Sequence, residues 1–155
     1  MLSLGIIVWF GNALWLGGTT MDEQSSFENL LVRVEPKNGG PTGYGAGLLM
    51  RDGAKRNTVR FSTVALDDAP CVKIIGTGSQ TRLIGNILTS KKQAVDGEAI
   101  AEQNFTGADP LLSTEFFPKP GSPVIAAATI DHPATDHAGR QRPTPCSLGA
   151  FEPRK

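Results

Sequence analysis

The sequence predicts an all-β solenoid in which short parallel strands stack in successive coils. Three observations support this fold class. The 18 glycines and 11 prolines together make 29 of 155 residues, about 19%, whereas roughly 12% is usual in globular domains. A repeat of about 24 residues has the two-residue apolar period of β-strands. The C-terminal quarter is rich in proline, which excludes regular helices and strands there.

Composition limits the classes of partner. The 15 basic and 15 acidic residues balance, so no summed field favours nucleic acid or an anionic membrane surface. A hydrophobic content of 39% is enough for one core. Cys71 and Cys146 lie 75 positions apart, which is neither a metal-ligand spacing nor a disulfide framework. We therefore expect one small buried thiol and one thiol in the tail.

The apolar run Leu2 to Phe10 has three interpretations. It lacks a basic n-region and is interrupted by Gly5, which argues against a signal peptide. It is too short to span a bilayer as a helix. The run predicts a strand of the domain, or a gene start that truncates a longer protein.

The clearest repeat aligns residues 47–64 with residues 71–88 at an offset of 24 without gaps. The alignment superposes four apolar pairs: Leu48 on Val72, Met50 on Ile74, Val59 on Leu83 and Val64 on Leu88. It also places Ser62 on Asn86. Such a column favours a turn ladder, in which side chains bond their neighbours above and below, although two unrelated surface turn residues are the alternative.

Two weaker copies extend the repeat. An early copy aligns Leu14 with Leu48 at an offset of 34, and Asn29 with Asn57 at an offset of 28, so it carries insertions. A fourth copy runs from Ala94 to Phe105. Residues 1–111 therefore predict three to four coils, which pair in parallel with identical positions stacked about 4.8 Å apart.

Residues 112–155 predict an irregular cap packed on the last coil. Six prolines fall between Pro118 and Pro145. Apolar anchors punctuate the stretch, including Ile125, Leu148 and Phe151. The open edge at the end of a solenoid invites aggregation unless something covers it, and a stiff, apolar tail suits that task.

The tail resembles the C-terminal end of secreted right-handed parallel β-helix proteins of the pectate-lyase-like superfamily. The similar segments read ADPL (108–111), PGSPVI (120–125), PATD (133–136), RP (142–143) and LGAFE (148–152). Family tails typically read ADPLF, PGSPAIDAG, PATDxDGxxRP and DIGAFE. The coils RNTVRFSTV and GNIL resemble the family's NNTI and NNIL coils, so the resemblance covers about residues 45–155. It implies a right-handed parallel β-helix and an extracellular or cell-surface location.

The departures from the family pattern are specific. Ala126 and Ser147 stand where the pattern has Asp, and Ala128 stands where it has Gly. The loss of two carboxylates weakens the idea of a cation bound by this tail. Asp136 and Arg142 match the pattern, and we expect them to form an ion pair that holds the cap loop. The apolar anchors are expected to plug the end coil.

Strand alternation predicts one candidate substrate-binding face. With Leu48, Met50, Val72 and Ile74 inward, their neighbours Leu49, Arg51, Lys73 and Ile75 face outward. Trp15 extends that face by one coil, and Asp52 lies beside it. An aromatic ring next to cations suits a sugar that carries a carboxylate. The alternative is that Trp15, Arg51, Asp52 and Lys73 are ordinary solvated strand residues.

Cation sites have few candidates. Asp67 and Asp68 are adjacent, and in a turn both carboxylates can converge on one ion, although they more often solvate a turn. Calcium is implied only by the family resemblance, and the sequence itself predicts no cofactor. The pairs Asp131-His132 and Asp136-His137 suit a metal or a general base, but their proline-rich setting favours a structural loop.

Three functions follow. The first is an extracellular β-helix that acts on polysaccharide as a lyase, epimerase or glycosidase, or the C-terminal part of one, for which the resemblance carries the argument. The second is a non-catalytic structural or glycan-binding module. The third is a fragment whose active coils lie upstream. So few coils predict an incomplete active site, and an exposed first coil predicts self-association.

Overall fold

The computed structural model describes residues 5–8, 14–16, 26–34, 46–50, 55–67, 69–76 and 80–154. These residues form twelve short strands and contain no helix. The strands are β1 (Gly5–Val8), β2 (Leu14–Leu16), β3 (Ser26–Glu28), β4 (Leu31–Val34), β5 (Leu48–Met50), β6 (Thr58–Arg60), β7 (Thr63–Ala65), β8 (Val72–Ile74), β9 (Arg82–Ile84), β10 (Ile87–Thr89), β11 (Val95–Asp96) and β12 (Ile100–Glu102).

The strands form three parallel sheets that the chain visits in rotation. The first sheet has the order β1-β4-β7-β10, the second β2-β5-β8-β11 and the third β3-β6-β9-β12. Each sheet therefore has four levels, and every pairing is parallel. The predicted all-β class with stacked parallel strands is confirmed, and the arrangement is compatible with a parallel β-helix.

The predicted register is confirmed at five pairs and wrong at one. Leu48 pairs with Val72, Met50 with Ile74, Val59 with Leu83 and Val64 with Leu88. Leu14 pairs with Leu48, and β1 is a strand, as expected. Asn29, however, does not align with Asn57. Phe27 pairs with Val59, so Asn29 stands level with Phe61, because the insertion in the early copy is longer than sequence similarity indicates.

The core lies between the three sheets. Alternate strand residues point inward and stack in columns, so each level buries apolar side chains against the next. Fully buried members of this core include Leu48, Val59, Val64, Val72, Leu83 and Leu88. Cys71 belongs to the same cluster, and its Sγ lies 3.4 Å from the carbonyl oxygen of Val64 and 3.2 Å from that of Thr89, either of which can accept its one hydrogen. Burial raises the pKa of the Cys71 thiol to about 12 and also raises that of Cys146.

Each turn from the third sheet to the first passes through a left-handed residue. We call Asn29, Phe61, Gly85 and Gln103 the corner column. Their φ angles are 55°, 46°, 65° and 47°. Each follows the last residue of its strand, and backbone N–H groups link the levels: Asn29 donates to Arg60, Phe61 to Ile84 and Gly85 to Glu102. Left-handed backbone is unfavourable for most residues other than glycine, so the surrounding structure must hold these turns.

The residue after each member of the corner column takes part in the ladder predicted for Ser62 and Asn86. These residues are Leu30, Ser62, Asn86 and Asn104. Ser62 Oγ accepts the N–H of Leu30 at 3.0 Å, Asn86 Oδ1 accepts that of Ser62 at 2.9 Å, and Asn104 Oδ1 accepts that of Asn86 at 2.9 Å. Asn86 also donates from Nδ2 to Val59 O. Side-chain oxygens therefore satisfy buried backbone donors at three successive levels.

The tail lies along the side of the stack and contacts all four corner residues. Asn29 donates to Thr135 O, Gly85 O accepts the Gly149 N–H at 2.8 Å, and the amide of Gln103 bonds Thr129. Phe61 is fully buried in a second apolar cluster, whose other members are Ile87, Val124, Ala128, Cys146 and Leu148.

This placement differs from an end plug. Leu148 packs in the lateral cluster with Phe61 and Ile87. Ala101 pairs in register with the fully buried Leu83 but is itself exposed. The described tail therefore leaves that edge of the fourth level open. The predicted boundary between residues 111 and 112 stays a prediction.

Gly149 packs against Thr63 and Ile87 of the first sheet so closely that no side chain would fit at this position. Its φ is +80°, and a Cβ at this position would lie 2.5 Å from Ile87 Cδ1 and 2.6 Å from Thr63 Oγ1. The neighbouring N–H of Ala150 donates to Thr63 Oγ1. The glycine lets the tail backbone reach the outer surface of the first sheet.

The predicted ion pair between Asp136 and Arg142 is wrong. Arg142 pairs instead with Glu152, with 2.9 Å between Nη1 and Oε1, and its side chain is fully buried. Asp136 pairs with Arg140, four residues on, with 2.6 Å between Oδ2 and Nη2. The sequence motif located the charged residues, but two neighbouring arginines compete for two carboxylates, and spacing alone does not assign the partners.

Arg142 connects the tail to the first two levels. Its Nη2 donates to Asn29 Oδ1 at 3.0 Å and to Gly149 O at 2.7 Å, and Nη1 donates to Ser147 O. Its guanidinium carbon lies 5.0 Å from the centre of the Phe61 ring. Removing Arg142 would leave these buried acceptors, including the Glu152 carboxylate, without a donor, which is costly in a buried site.

Replacing Asn86 by alanine should destabilise the chain by about 2–3 kcal/mol, because a buried N–H of Ser62 and the carbonyl of Val59 lose their partners. The free energy of unfolding from urea denaturation measures this. Gln93→Ala, at an exposed amide, is the control and should change it by less than about 0.5 kcal/mol. Equal effects of the two substitutions would contradict the ladder.

Arg142→Met should cost about 3–5 kcal/mol, because it leaves the buried Glu152 carboxylate without its cation. Arg154→Met is the matched control, since Arg154 also pairs with a carboxylate and stacks on a phenyl ring, but is exposed. It should cost no more than about 1 kcal/mol. Urea denaturation of both variants checks the difference, and a small loss for Arg142→Met would refute its role as the connecting residue.

Candidate binding surface

The second sheet carries the predicted outward column. Trp15 pairs with Leu49, Leu49 with Lys73, and Lys73 with Asp96. The backbone register therefore brings Trp15 and Lys73 into one column, two levels apart. Arg51 and Asp52 lie outside the described residues. The role of Trp15, Arg51, Asp52 and Lys73 in binding stays a prediction.

Lys73 has a partner that the sequence analysis does not predict. Its Nζ lies 3.3 Å from Asp96 Oδ2, on the adjacent strand, and the two side chains are 37% and 50% exposed. Asp96 belongs to the weakest copy of the repeat, where sequence similarity does not fix the register. The pair offers an ammonium donor and a carboxylate acceptor side by side at the surface.

The column is not uniformly solvated. Leu49, between Trp15 and Lys73, is only 8% exposed, whereas Ile75, after the end of β8, is 43% exposed. Strand alternation predicts that Leu49 faces outward, and its side chain is nevertheless buried. Its burial means that the accessible part of this surface among the described residues begins at Lys73 and continues toward Asp96.

The third sheet carries charges with structural partners. Arg60 Nε lies 3.3 Å from Glu28 Oε1, on the adjacent level. Its Nη2 reaches the tail at Asp131, with 3.2 Å to Oδ2 and 2.6 Å to the backbone oxygen. Arg82 lies 3.8 Å from Glu102. Arg60 thus ties the outer face of the third sheet to the tail.

The candidate cation site at Asp67 and Asp68 is described only in part. Asp67 is exposed and its Oδ1 lies 3.6 Å from Lys91 Nζ. Asp68 lies outside the described residues. Within the portion of the chain that the structure describes, no three His, Cys, Asp or Glu side chains come together in a group able to hold a metal ion.

Both histidines of the Asp-His pairs make contacts within the tail or between the tail and the corner. His137 Nδ1 donates to Asn29 O at 2.7 Å, and its ring stands edge-on to Phe151. The nitrogens of His132 contact Pro133 O and Thr144 Oγ1. These contacts agree with the structural interpretation of the loop.

A cleft of about 770 Å³ opens within the tail. Its apolar wall includes Ile125, Pro143 and Pro145, and its polar wall includes Arg140 and Arg154. This volume lies in the range of small-molecule sites. The two arginines form ion pairs with Asp136 and Glu115, which neutralise their positive charges. Both guanidinium groups also lie over the ring of Phe117.

The carboxylate of Asp136 accepts hydrogen bonds from Arg140 and from the Glu152 backbone. Burial alone would raise its pKa, but the N–H groups of Glu152 and Arg140 and the Arg140 guanidinium together hold the pKa below its ordinary value. The carboxylate accepts the Glu152 N–H at 3.0 Å and the Arg140 N–H at 2.9 Å. It therefore links the loop at 136–140 to the C-terminal segment of the tail at Glu152.

Two residues of this surface and of the ladder, Asn104 and Asp96, are not predicted from the sequence. Asn104 continues the ladder, which its distance from Asn86 hides, because the fourth copy is shorter than the others. Asp96 completes the pair with Lys73, which becomes visible only when β11 is placed beside β8. Both depend on coils of unequal length.

The comparisons with known proteins give no relative. No family model matches the chain. Neither the search of curated proteins nor the search of solved structures returns a match. In the described part of the chain, no helix has the length and apolar character needed to cross a membrane.

The lowered pKa of Asp136 predicts a stability that is present above about pH 4 and is lost as the pH falls further, because the unfolded chain then binds a proton that the folded chain excludes. Asp136→Asn should lower the stability at pH 7 and flatten this acid dependence. Denaturation at a series of pH values measures both effects. Asp131→Asn, at the exposed partner of Arg60, should keep the steeper profile, and an unchanged profile in Asp136→Asn would contradict the assignment.

Proposed function

We propose that the chain is the C-terminal part of a secreted right-handed parallel β-helix protein, with three to four coils, that binds polysaccharide at the cell surface or outside the cell. The observation that carries the proposal is the partly exposed Lys73–Asp96 pair on the outer face of a stacked parallel sheet. The resemblance of the tail and coils to the pectate-lyase-like superfamily supports the direction of winding and the substrate class, as an analogy of fold.

The chemistry of the pair suits a sugar. An ammonium and a carboxylate 3.3 Å apart present a donor and an acceptor to neighbouring hydroxyl groups. Trp15 stands in the same register column, and an indole ring is a favourable platform for the apolar face of a sugar ring. The column runs along the stack, which is the direction in which a linear polymer would extend, although Leu49 between Trp15 and Lys73 is buried.

We propose binding without catalysis for this chain alone. Glycosidases need two carboxylates that flank the scissile bond. Among the described strands of the second sheet, Asp96 is the only acidic residue. A complete lyase or glycosidase site therefore needs further coils or residues from outside this surface.

A structural module is the second candidate function. The ion pairs favour it, because Lys73, Arg82 and Lys91 each have a carboxylate partner at the surface. Such pairs leave little net charge to attract a polyanion. A module of this kind would act as a spacer whose outer faces are neutral and soluble.

Lys73→Ala should lower the affinity for a bound polysaccharide at least tenfold, measured by titration calorimetry against polygalacturonate, alginate and a glycosaminoglycan. Trp15→Ala should do the same. Lys91→Ala is the matched control, because Lys91 is also an ion-paired surface lysine, and it should retain the affinity of the parent chain.

Three outcomes separate the candidates. Binding that Lys73→Ala reduces and Lys91→Ala does not supports the surface on the second sheet. No binding to any of the three polymers favours the structural module. Absorbance from unsaturated products in the same mixtures would contradict the proposal that this chain lacks catalysis.

A further inference from the structure

The cleft in the tail has rigid, apolar walls. Its apolar lining residues are Ile125, Ala126, Pro143, Pro145 and Pro153, and every lining residue belongs to the tail. A proline has a fixed ring and no backbone N–H, so these walls offer apolar contact and few hydrogen-bond donors. The volume of about 770 Å³ falls in the range of pockets that enclose a drug-sized molecule. The walls therefore suit a ligand with a sizeable apolar body.

One guanidinium group of the cleft is held in place by the tail itself. Arg140 donates from Nε and Nη2 to Asp136 Oδ2, from Nη1 to Pro153 O and from Nη2 to Glu152 O. The Asp136 side chain is fully buried, so a ligand in the cleft cannot take its place. Arg140 is therefore a fixed, positively charged part of the wall.

The second guanidinium group has a partner that a ligand can replace. Among the described residues, the ion-pair partner of Arg154 is Glu115, and the two side chains are 61% and 59% exposed. Exposed pairs of this kind contribute little to stability, so Arg154 can exchange Glu115 for another carboxylate at little cost. The planar guanidinium also matches a carboxylate with two parallel N–H donors.

Both arginines also show that a flat ring can pack against them. Their guanidinium carbons lie 4.9 Å and 4.1 Å from the centre of the same ring, that of Phe117. Guanidinium groups stack on aromatic faces in general, and the same contact is open to a ring that enters the cleft. The cleft thus combines apolar walls, stacking groups and one exchangeable cation.

We propose that this cleft binds a small molecule with a flat, apolar ring system and one carboxylate, which Arg154 holds in place of Glu115. The ring system packs on the proline walls, where it is removed from water. A ligand cation is disfavoured because Arg140 and Arg154 both line the cleft. The site lies in the tail, so the proposal does not rest on the polysaccharide surface of the second sheet.

Titration of the full chain with 2-naphthoate, followed by the fluorescence of the naphthyl group, tests the proposal. 2-Naphthamide has the same rings without the charge and should bind roughly tenfold more weakly, because the charge-assisted bond to Arg154 is lost. Arg154→Met should weaken naphthoate binding by a similar factor and remove the preference for the acid over the amide. Arg82→Met is the matched control, since Arg82 is also an exposed arginine paired with a glutamate, and it should leave both affinities unchanged.

A second pair of variants decides the case if Arg154→Met disturbs the tail. Glu115→Gln removes the competing carboxylate, so it should tighten naphthoate binding roughly threefold and leave naphthamide binding unchanged. Glu102→Gln, at the partner of Arg82, should alter neither. Equal affinity for the acid and the amide, no naphthoate binding at millimolar concentrations, or weaker naphthoate binding by Glu115→Gln would each overturn the proposal.

Discussion

The left-handed backbone of the corner column is the constraint on which the rest of the structure depends. Asn29, Phe61, Gly85 and Gln103 turn the chain from the third sheet to the first at every level. Three of the four are not glycine, so the conformation costs of order 1–3 kcal/mol at each. The ladder compensates this cost, because the side chains of Ser62, Asn86 and Asn104 hold the following N–H groups. A single left-handed corner would be strained. In the stack, the side chain at one level accepts the N–H of the adjacent level, and these hydrogen bonds stabilise successive corners.

The same corners decide where the tail lies. The turn at Phe61 leaves its ring outside the three-sheet core, and the ring is buried only because the tail covers it. Gly85 lies under that ring, and a Cβ there would approach the ring atoms to within 2.9–3.1 Å. Arg142 then caps the ring and bonds Asn29 one level away. The tail is therefore a lateral support for strained turns, which explains why it spans all four levels.

Sequence reasoning predicted the register fully where the period repeats without gaps, and only in part where coil lengths differ: Leu14 was aligned correctly and Asn29 was not. The offset between β5–β7 and β8–β10 predicted the register because apolar side chains must stay inward, and a one-residue slip would expose them. The alignment of Asn29 failed because an insertion changes the offset without changing the local pattern. The pairing of Arg142 with Glu152, and of Lys73 with Asp96, depends on distances in space between segments whose separation in sequence carries no period.

The position of the tail also limits where a ligand can bind. The tail bonds the corner column and packs on the outer surface of the first sheet at Thr63 and Ile87, and Arg60 ties it to the third sheet at Asp131. The second sheet, with Lys73 and Asp96, is the side on which none of the described tail contacts falls. Lys73 and Asp96 stay partly exposed on the second sheet, whereas Leu49 on the adjacent level is buried. Among the described residues, a ligand on the outer face of this sheet would therefore meet the pair at two levels and not the same register position at every level.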